Sequence, residues 1–384
     1  MTTTPAGLHP FTVAWDKATL ERTLGRVREF QRPRIPQDAG WRYGCDPNVL
    51  DELRAYWLDR FDHAAAADTL NRFLQGMATV DGFDLHVIHV VGEAQGRRPL
   101  LLTHGWPGSV YEFWSVIGPL AYPSRHGGRV EEAFDLVIPA LPGFGFSGKP
   151  EAPIGARTTA RLFDRLMRET LGYDRYLAQG GDWGAGVSAW LALDHAEAVR
   201  GIHLNYLLVQ PDGEPESAVE RAWKADFDEA QRRLGAYSAL HGTRPLSLGY
   251  AMADNPVAQL AWLVERFHDW ADLRDRPFAD VFPKDVLLTN AMLYLLTDSF
   301  ATATWYYAGA AAENVRRMPR GRRVEVPTAY AAYPDPRSPT PPREWVERGY
   351  DVMRWREMPR GGHFAAMEAP DLFVADLREW AADL

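Results

Sequence analysis

A chain of 384 residues that is 46% apolar and 24% charged, with 14 Trp, 17 Phe and 15 Tyr, has the composition of a large globular unit and excludes a disordered one. A formal net charge of -9 and an isoelectric point near 5.7 argue against nucleic acid or an anionic membrane surface as partner, because neither attracts an acidic protein. The single cysteine, Cys45, leaves no internal disulfide or thiolate metal cluster and suits a reducing compartment.

The opening MTTTPAGLHPFTVAW has no basic region followed by an apolar core, so the cytoplasm is the expected location. Residues 11–79 alternate helical periodicity with loop signals and read as an N-terminal arm packing on the core, assigned 1–80. Short apolar runs follow at 85–91, 99–103, 135–140, 176–179 and 201–205, separated by helical patterns at 158–170 and 185–195. That alternation predicts an α/β fold with a mostly parallel sheet, its first part over 81–210. Strand signals stop near Pro211 and resume in VPTAYAAYP and VMRWREMP, which predicts a helical insertion over 211–322 and a second part of the core over 323–384. The most apolar stretch, 291–312, contains Asp298 and several threonines, and is expected as a buried or pocket-lining helix. Residues 370–384 read as a closing amphipathic helix.

The chemistry gathers around QGGDWGAG, residues 179–186, between a strand pattern and a helical one. A nucleophile elbow needs small residues two before and two after its central side chain, and Gly180 and Gly184 frame Asp182 in that way. The competing role for Asp182 is to cap the following helix. THGWPGS, 103–109, also follows a strand and predicts an oxyanion hole made of the backbone amides of Trp106 and Trp183. RGGHFAAMEAP, 360–370, places His363 after a strand and before the last helix, in the chain order nucleophile first and histidine last. His86 and His89 lie three apart on a strand, face opposite sides, and have no HExxH or acidic cluster beside them, so no metal site is expected. A carboxylate nucleophile suits displacement at saturated carbon, with histidine then activating water against the ester. Halide and epoxide oxygen are both compatible leaving groups.

HGWPGS, GFGFSGKP, GGDWG and RGGHFAAMEAP together resemble the microsomal-type epoxide hydrolases of the α/β-hydrolase fold. The likeness extends to the arm through RYGCDPNVLDELRAYWLDRFD and DGFDLHVIHV, and is to the soluble bacterial and fungal members, without the membrane anchor of the mammalian ones. It implies a cofactor-free enzyme with a helical cap, Asp182 as nucleophile, His363 as general base and the Trp106 and Trp183 amides as oxyanion hole. It further implies two cap tyrosines that polarise the epoxide oxygen: Tyr237 in AYSALHGTRP, and Tyr306 in ATATWYYAG, with Tyr307 one register away. Family members carry the acid behind the histidine in F-P-x-E. This chain has Tyr333-Pro334-Asp335-Pro336, which makes Asp335 the expected acid, Asp351 an alternative and a missing relay a third option.

The expected reaction converts a lipophilic epoxide and water to a vicinal diol through an ester on Asp182. A haloalkane dehalogenase and a catalytically impaired binding protein are the alternatives. Expected partners are the small epoxide and water, with no nucleic acid and no membrane; a homodimer is one open option for the assembly.

Overall fold

The short apolar runs become strands buried on both faces, as parallel strands beneath two helix layers must be; Phe134–Pro139 is buried at every residue. The computed structural model describes residues 7–96 and 98–384. Nine strands lie in one sheet in the order β1-β2-β3-β5-β4-β6-β7-β8-β9. They are β1 (His9–Pro10), β2 (Gln75–Val80), β3 (Phe83–Val90), β4 (Arg98–Thr103), β5 (Phe134–Pro139), β6 (Tyr176–Gly180), β7 (Val199–Leu204), β8 (Val324–Ala332) and β9 (Tyr350–Glu357). From β5 across to β9 every neighbouring pair is parallel, while β1, β2 and β3 pair antiparallel and β3 meets β5 antiparallel. This is the α/β-hydrolase fold.

Alternation along the strands feeds two cores. Leu101, Val137 and Ala178 face the cluster that includes helices Ala156–Arg165 and Asp182–Asp194, whereas Leu100, Leu136 and Leu177 face the one built with Trp114–Ala121 and Pro370–Ala382. Thr103 at the end of β4 lies opposite Gly180 at the end of β6. The loops HGWPGS and GGDWG therefore leave the sheet side by side, at the carboxyl edge where open α/β sheets place their ligands.

Two expectations are corrected here. The stretch 291–312 is two helices, Lys284–Leu295 and Phe300–Ala312, bent by 79° at a break where Asp298 takes a left-handed φ of 51°. Among the described residues no single helix is long and apolar enough to cross a membrane. The arm, in turn, is not only helical and does not only pack on the core. Its end forms β2, whose sequence QGMATV carries little strand propensity and is held by pairing with β3 from Gln75↔Ile88 to Val80↔Phe83. Its helices Lys17–Glu29 and Pro47–Asp59, capped by Asp16 and Asp46, reach the insertion: Arg26 pairs with Asp254 at 2.5 Å and the Tyr56 hydroxyl donates to Asp285 at 2.9 Å. The arm thus braces the helices between β7 and β8.

Candidate active site

Asp182 stands on the tightest turn of the sheet edge, with φ of +43°. For a residue with a Cβ that costs roughly 1–3 kcal/mol, and persists only where the surroundings enforce it. They do so here through two glycines: a Cβ on Gly180 would fall 2.1 Å from the Gly184 carbonyl carbon, and one on Gly184 would fall 1.9 Å from the Thr103 carbonyl oxygen. Gly181, not Asp182, occupies the N-cap of helix Asp182–Asp194, and it makes no side-chain cap bond. The Asp182 carboxylate instead accepts from the Trp106 N–H at Oδ1, 2.9 Å away. The capping role is thereby set aside.

The loop presenting Trp106 is clamped from the helical insertion. Asn290 donates to the Pro107 carbonyl at 2.9 Å and accepts from Ser109 at 2.8 Å, and the Tyr294 hydroxyl donates to the Gly108 carbonyl. From below, the Leu141 N–H donates to His104 Nε2 at 3.1 Å, while burial pushes that imidazole down to about 4 and keeps it neutral. The Trp183 N–H lies in the first turn of its helix, where amides have no carbonyl partner within the helix.

His363 faces two carboxylates. Its Nδ1 lies 2.7 Å from Asp335 Oδ2 and its Nε2 lies 3.4 Å from Asp182 Oδ2. Asp335 Oδ1 accepts the Arg337 N–H at 2.8 Å. Two successive three-residue turns, Tyr333 N–H to Ala331 O and Asp335 N–H to Tyr333 O, take the chain off β8 and deliver Asp335 to the imidazole despite the irregular spacing. Asp351 lies on β9 opposite Pro327. Burial alone would depress the His363 pKa, but Asp335 and Asp182 outweigh it and raise it to about 10. Burial likewise opposes ionisation of Asp182, and His363, Arg337 and the Trp106 amide overcome it and hold its carboxyl below the usual range. Each group thus favours the charged form of the other.

Sequence reasoning missed Glu368. Its buried carboxylate accepts from the N–H groups of Asp272, Gly362 and Phe364 at 2.7, 2.8 and 2.8 Å, while the His363 N–H donates to the Trp270 carbonyl at 3.0 Å. These bonds pin the histidine loop on both sides. The one signal was an acid in the motif already quoted, five residues past the histidine.

Above Asp182 the insertion supplies an aromatic roof. The Tyr237 ring stacks on Trp106 at 5.1 Å, and its hydroxyl oxygen accepts from Arg337 Nε at 3.0 Å and Nη2 at 2.7 Å. Tyr306 is not brought to the site in the expected way: its hydroxyl donates to Thr159 Oγ1 at 2.9 Å, on helix Ala156–Arg165. The neighbouring Tyr307 turns the other way, its ring among Trp183 at 4.8 Å, His241 at 4.7 Å and Tyr237 at 5.8 Å. The Tyr307 hydroxyl is buried with the Tyr237 hydroxyl as its hydrogen-bonding neighbour, just beyond a normal bond, and Asp182 and Arg337 are its further electrostatic neighbours. Successive helical residues point about 100° apart, so a register of one decides which phenol faces Asp182.

Behind Asp182 and His363 lies a cavity of about 20 Å³, bordered also by Glu112, Gln179 and Asn205. That is room for one water, which needs ~10–15 Å³. Glu112 packs so closely on Gly108 that a Cβ there would fall 1.4 Å from Glu112 Oε1, and burial pushes its carboxyl up to about 8. His86 and His89 bond separately, to Gln75 at 2.8 Å and to the Tyr173 hydroxyl at 2.9 Å, and among the described residues no His, Cys, Asp and Glu group suits a metal.

Residues 8–113 match the family described as epoxide hydrolase N terminus, and residues 98–312 match the alpha/beta hydrolase fold family. A Stigmatella aurantiaca protein provisionally named an epoxide hydrolase is 38% identical over 381 residues, 97% of this chain and 84% of its own length. Epoxide hydrolase 1 of Sus scrofa is 31% identical over 97% of this chain and 88% of that one. Among solved structures, Aspergillus niger epoxide hydrolase superposes with a TM-score of 0.84 at 29% identity, covering 99% of this chain and 97% of its own.

Proposed function

The chain belongs to the microsomal-type epoxide hydrolase family and is an epoxide hydrolase, and we propose that it works in two steps through an ester on Asp182. In the first step Asp182 Oδ2 bonds to an epoxide carbon, the carbon–oxygen bond breaks, and the leaving oxygen takes a proton from a cap phenol. In the second, neutral His363 removes a proton from water as it attacks Cγ, the negative charge collects on Oδ1 beside the Trp106 amide, and cleavage of the Cγ–Oδ2 bond releases the diol as Oδ2 takes the remaining proton of the added hydroxyl and Asp182 returns to carboxylate. The oxyanion hole comprises the Trp106 and Trp183 amides, and Asp335 is the acid behind His363.

The observation that carries this reading is the division of the two Asp182 oxygens, Oδ1 toward the Trp106 amide and Oδ2 toward His363. Charge explains the order of events. While Asp182 is ionised it helps hold His363 protonated; esterification removes that anion, the imidazole pKa falls, the ring passes its proton to the phenolate left by ring opening, and it becomes a base only when there is an ester to hydrolyse. The 20 Å³ cavity is the station of the attacking water, with Glu112 at its wall. Tyr237 and Tyr307, in place of Tyr306, are the phenols that meet the epoxide oxygen. The aromatic roof suits a lipophilic or aryl epoxide. Tyrosine hydroxyls above the nucleophile, with the family membership, favour epoxide over halide as leaving group.

A single turnover in ¹⁸O-labelled water tests the scheme. Because the broken bond is Cγ–Oδ2, the label is expected in the peptide containing Asp182 and not in the diol. Label in the diol after one turnover means that water attacked the epoxide directly, and overturns the ester.

A further inference from the structure

Arg337 is a buried cation to which the scheme above gives no task. Its side chain is 2% exposed, and it spends three of its N–H groups on phenols: Nε and Nη2 on Tyr237 at 3.0 and 2.7 Å, and Nη1 on Tyr206 at 2.6 Å. The guanidinium also stacks over the Trp270 ring, 4.9 Å from its centroid, which shields it from water. Burying a cation is costly unless an opposite charge or strong dipoles answer it. Neutral phenol oxygens do so only in part. The answering charges are Asp182, which Arg337 helps keep ionised across the site, and any negative charge that develops on Tyr237 itself.

We propose that Arg337 is a positioning residue for the proton donor of ring opening: its two-pronged hold on the Tyr237 oxygen turns the phenolic proton toward the epoxide, and its charge receives the phenolate left behind. Two donors occupy the two lone pairs of that hydroxyl, so its own O–H can only point outward to an acceptor. As the Oδ2–carbon bond forms and the carbon–oxygen bond breaks, the proton passes from Tyr237 to the leaving oxygen, and the phenolate stays against the guanidinium. It regains a proton from the His363 imidazolium, which turns acidic once Asp182 is esterified, and the neutral ring then takes a proton from water, which restores the resting imidazolium. Burial makes the Tyr237 phenol less acidic, and Arg337 opposes that. The Arg337 N–H groups go to Tyr237 and Tyr206 and none to Tyr307, whose hydroxyl neighbour is Tyr237 itself, and this gives the two tyrosines different tasks: Tyr237 transfers the proton and Tyr307 contributes a hydrogen bond. The backbone N–H of the same Arg337 holds Asp335, so one residue supports the donor of the first step and the relay of the second.

The inference rests on Tyr237 being the donor, and a double-mutant cycle separates the two claims. Ester formation is followed in single turnovers by rapid quench and mass measurement of the adduct in Arg337→Met, Arg337→Lys, Tyr237→Phe and the Arg337→Met/Tyr237→Phe pair. Losing a charged donor to the transferring oxygen is expected to slow ester formation roughly 10- to 100-fold in Arg337→Met, with partial recovery in Arg337→Lys. In the Tyr237→Phe background the same change is expected to cost almost nothing. The alkaline limb of the ester-formation profile, where the donor phenol ionises, should move to higher pH in Arg337→Met, because a lost cation makes the phenol less acidic. Losses that multiply in the pair, or an unmoved alkaline limb, overturn the role of Arg337. A Tyr237→Phe protein that forms ester at the parent rate overturns the donor reading itself, and the role of Arg337 with it. Should Arg337→Met not fold, Arg337→Lys, which keeps the charge and loses the fork, carries the same cycle.

Discussion

On the sheet side of the site, position is set by the backbone. Asp182 is held at positive φ by glycines that touch each other and Thr103, and the Trp106 amide reaches it because β4 and β6 end level. On the cap side, position is set by side chains reaching between elements far apart in sequence: Arg337 to Tyr237 and Tyr206, and Tyr306 to Thr159. The floor leaves almost no room for substitution and holds the carboxylate and amide that the proposed scheme uses as nucleophile and oxyanion donor. The roof can be altered one hydroxyl at a time, and that is where substrate and proton donation can be tuned. The contrast follows from chemistry, since a tetrahedral oxyanion has one required geometry and an epoxide oxygen can be met by phenols from several directions.

Changes in the floor should be all or none. Asp182→Asn is expected to lower diol formation by roughly four orders of magnitude or more, as loss of a nucleophile does; the assay needs a mass check that Asn has not deamidated back to Asp. His363→Gln should still be alkylated and then stall, so that one equivalent of epoxide accumulates as a mass increase on the Asp182 peptide. Asp335→Asn is expected to slow ester hydrolysis by roughly 10²- to 10⁴-fold, the range for removing the acid behind a catalytic histidine, while slowing ester formation much less. Single-turnover measurement of both steps decides it, and equal losses in the two would detach Asp335 from the base.

Changes in the roof should be graded. Tyr307→Phe is expected to slow ester formation roughly 10- to 100-fold, as the loss of one hydrogen bond to a developing oxyanion does, because Tyr237 remains the proton donor. Tyr306→Phe should leave that step near the parent rate and reduce stability by about 1 kcal/mol through the lost bond to Thr159, measurable by denaturant unfolding. The reverse ranking would restore Tyr306 to the site. The smallest effect is electrostatic: in Asp182→Asn the His363 ring loses one of two anions, so its pKa, about 10 in the parent, should drop, as NMR titration can show.

The motifs of the floor were legible because each is a short contiguous string whose function lies in its own backbone. GGDWG, HGWPGS and RGGHFAAMEAP carry the small residues that tight turns demand, and strands β3 to β9 lie within two residues of their apolar runs. The acid behind His363 was less legible, since the spacing Tyr-Pro-Asp-Pro departs from the family's and only two consecutive tight turns bring Asp335 to 2.7 Å from the imidazole. Glu368 was present in a quoted motif, but its role depends on amides from Asp272 and from the loop it closes.

By itself the sequence determined the fold class, the family and the pairing of Asp182 with His363, because period-two and helical patterning and glycine-framed turns are local consequences of sterics. It did not determine which of two adjacent tyrosines faces Asp182, where the helix over 291–312 breaks, or that Arg337 lies against Tyr237. Those were decided by tertiary structure, for a physical reason: neighbouring helical positions point about 100° apart, and which face is buried depends on what packs against it.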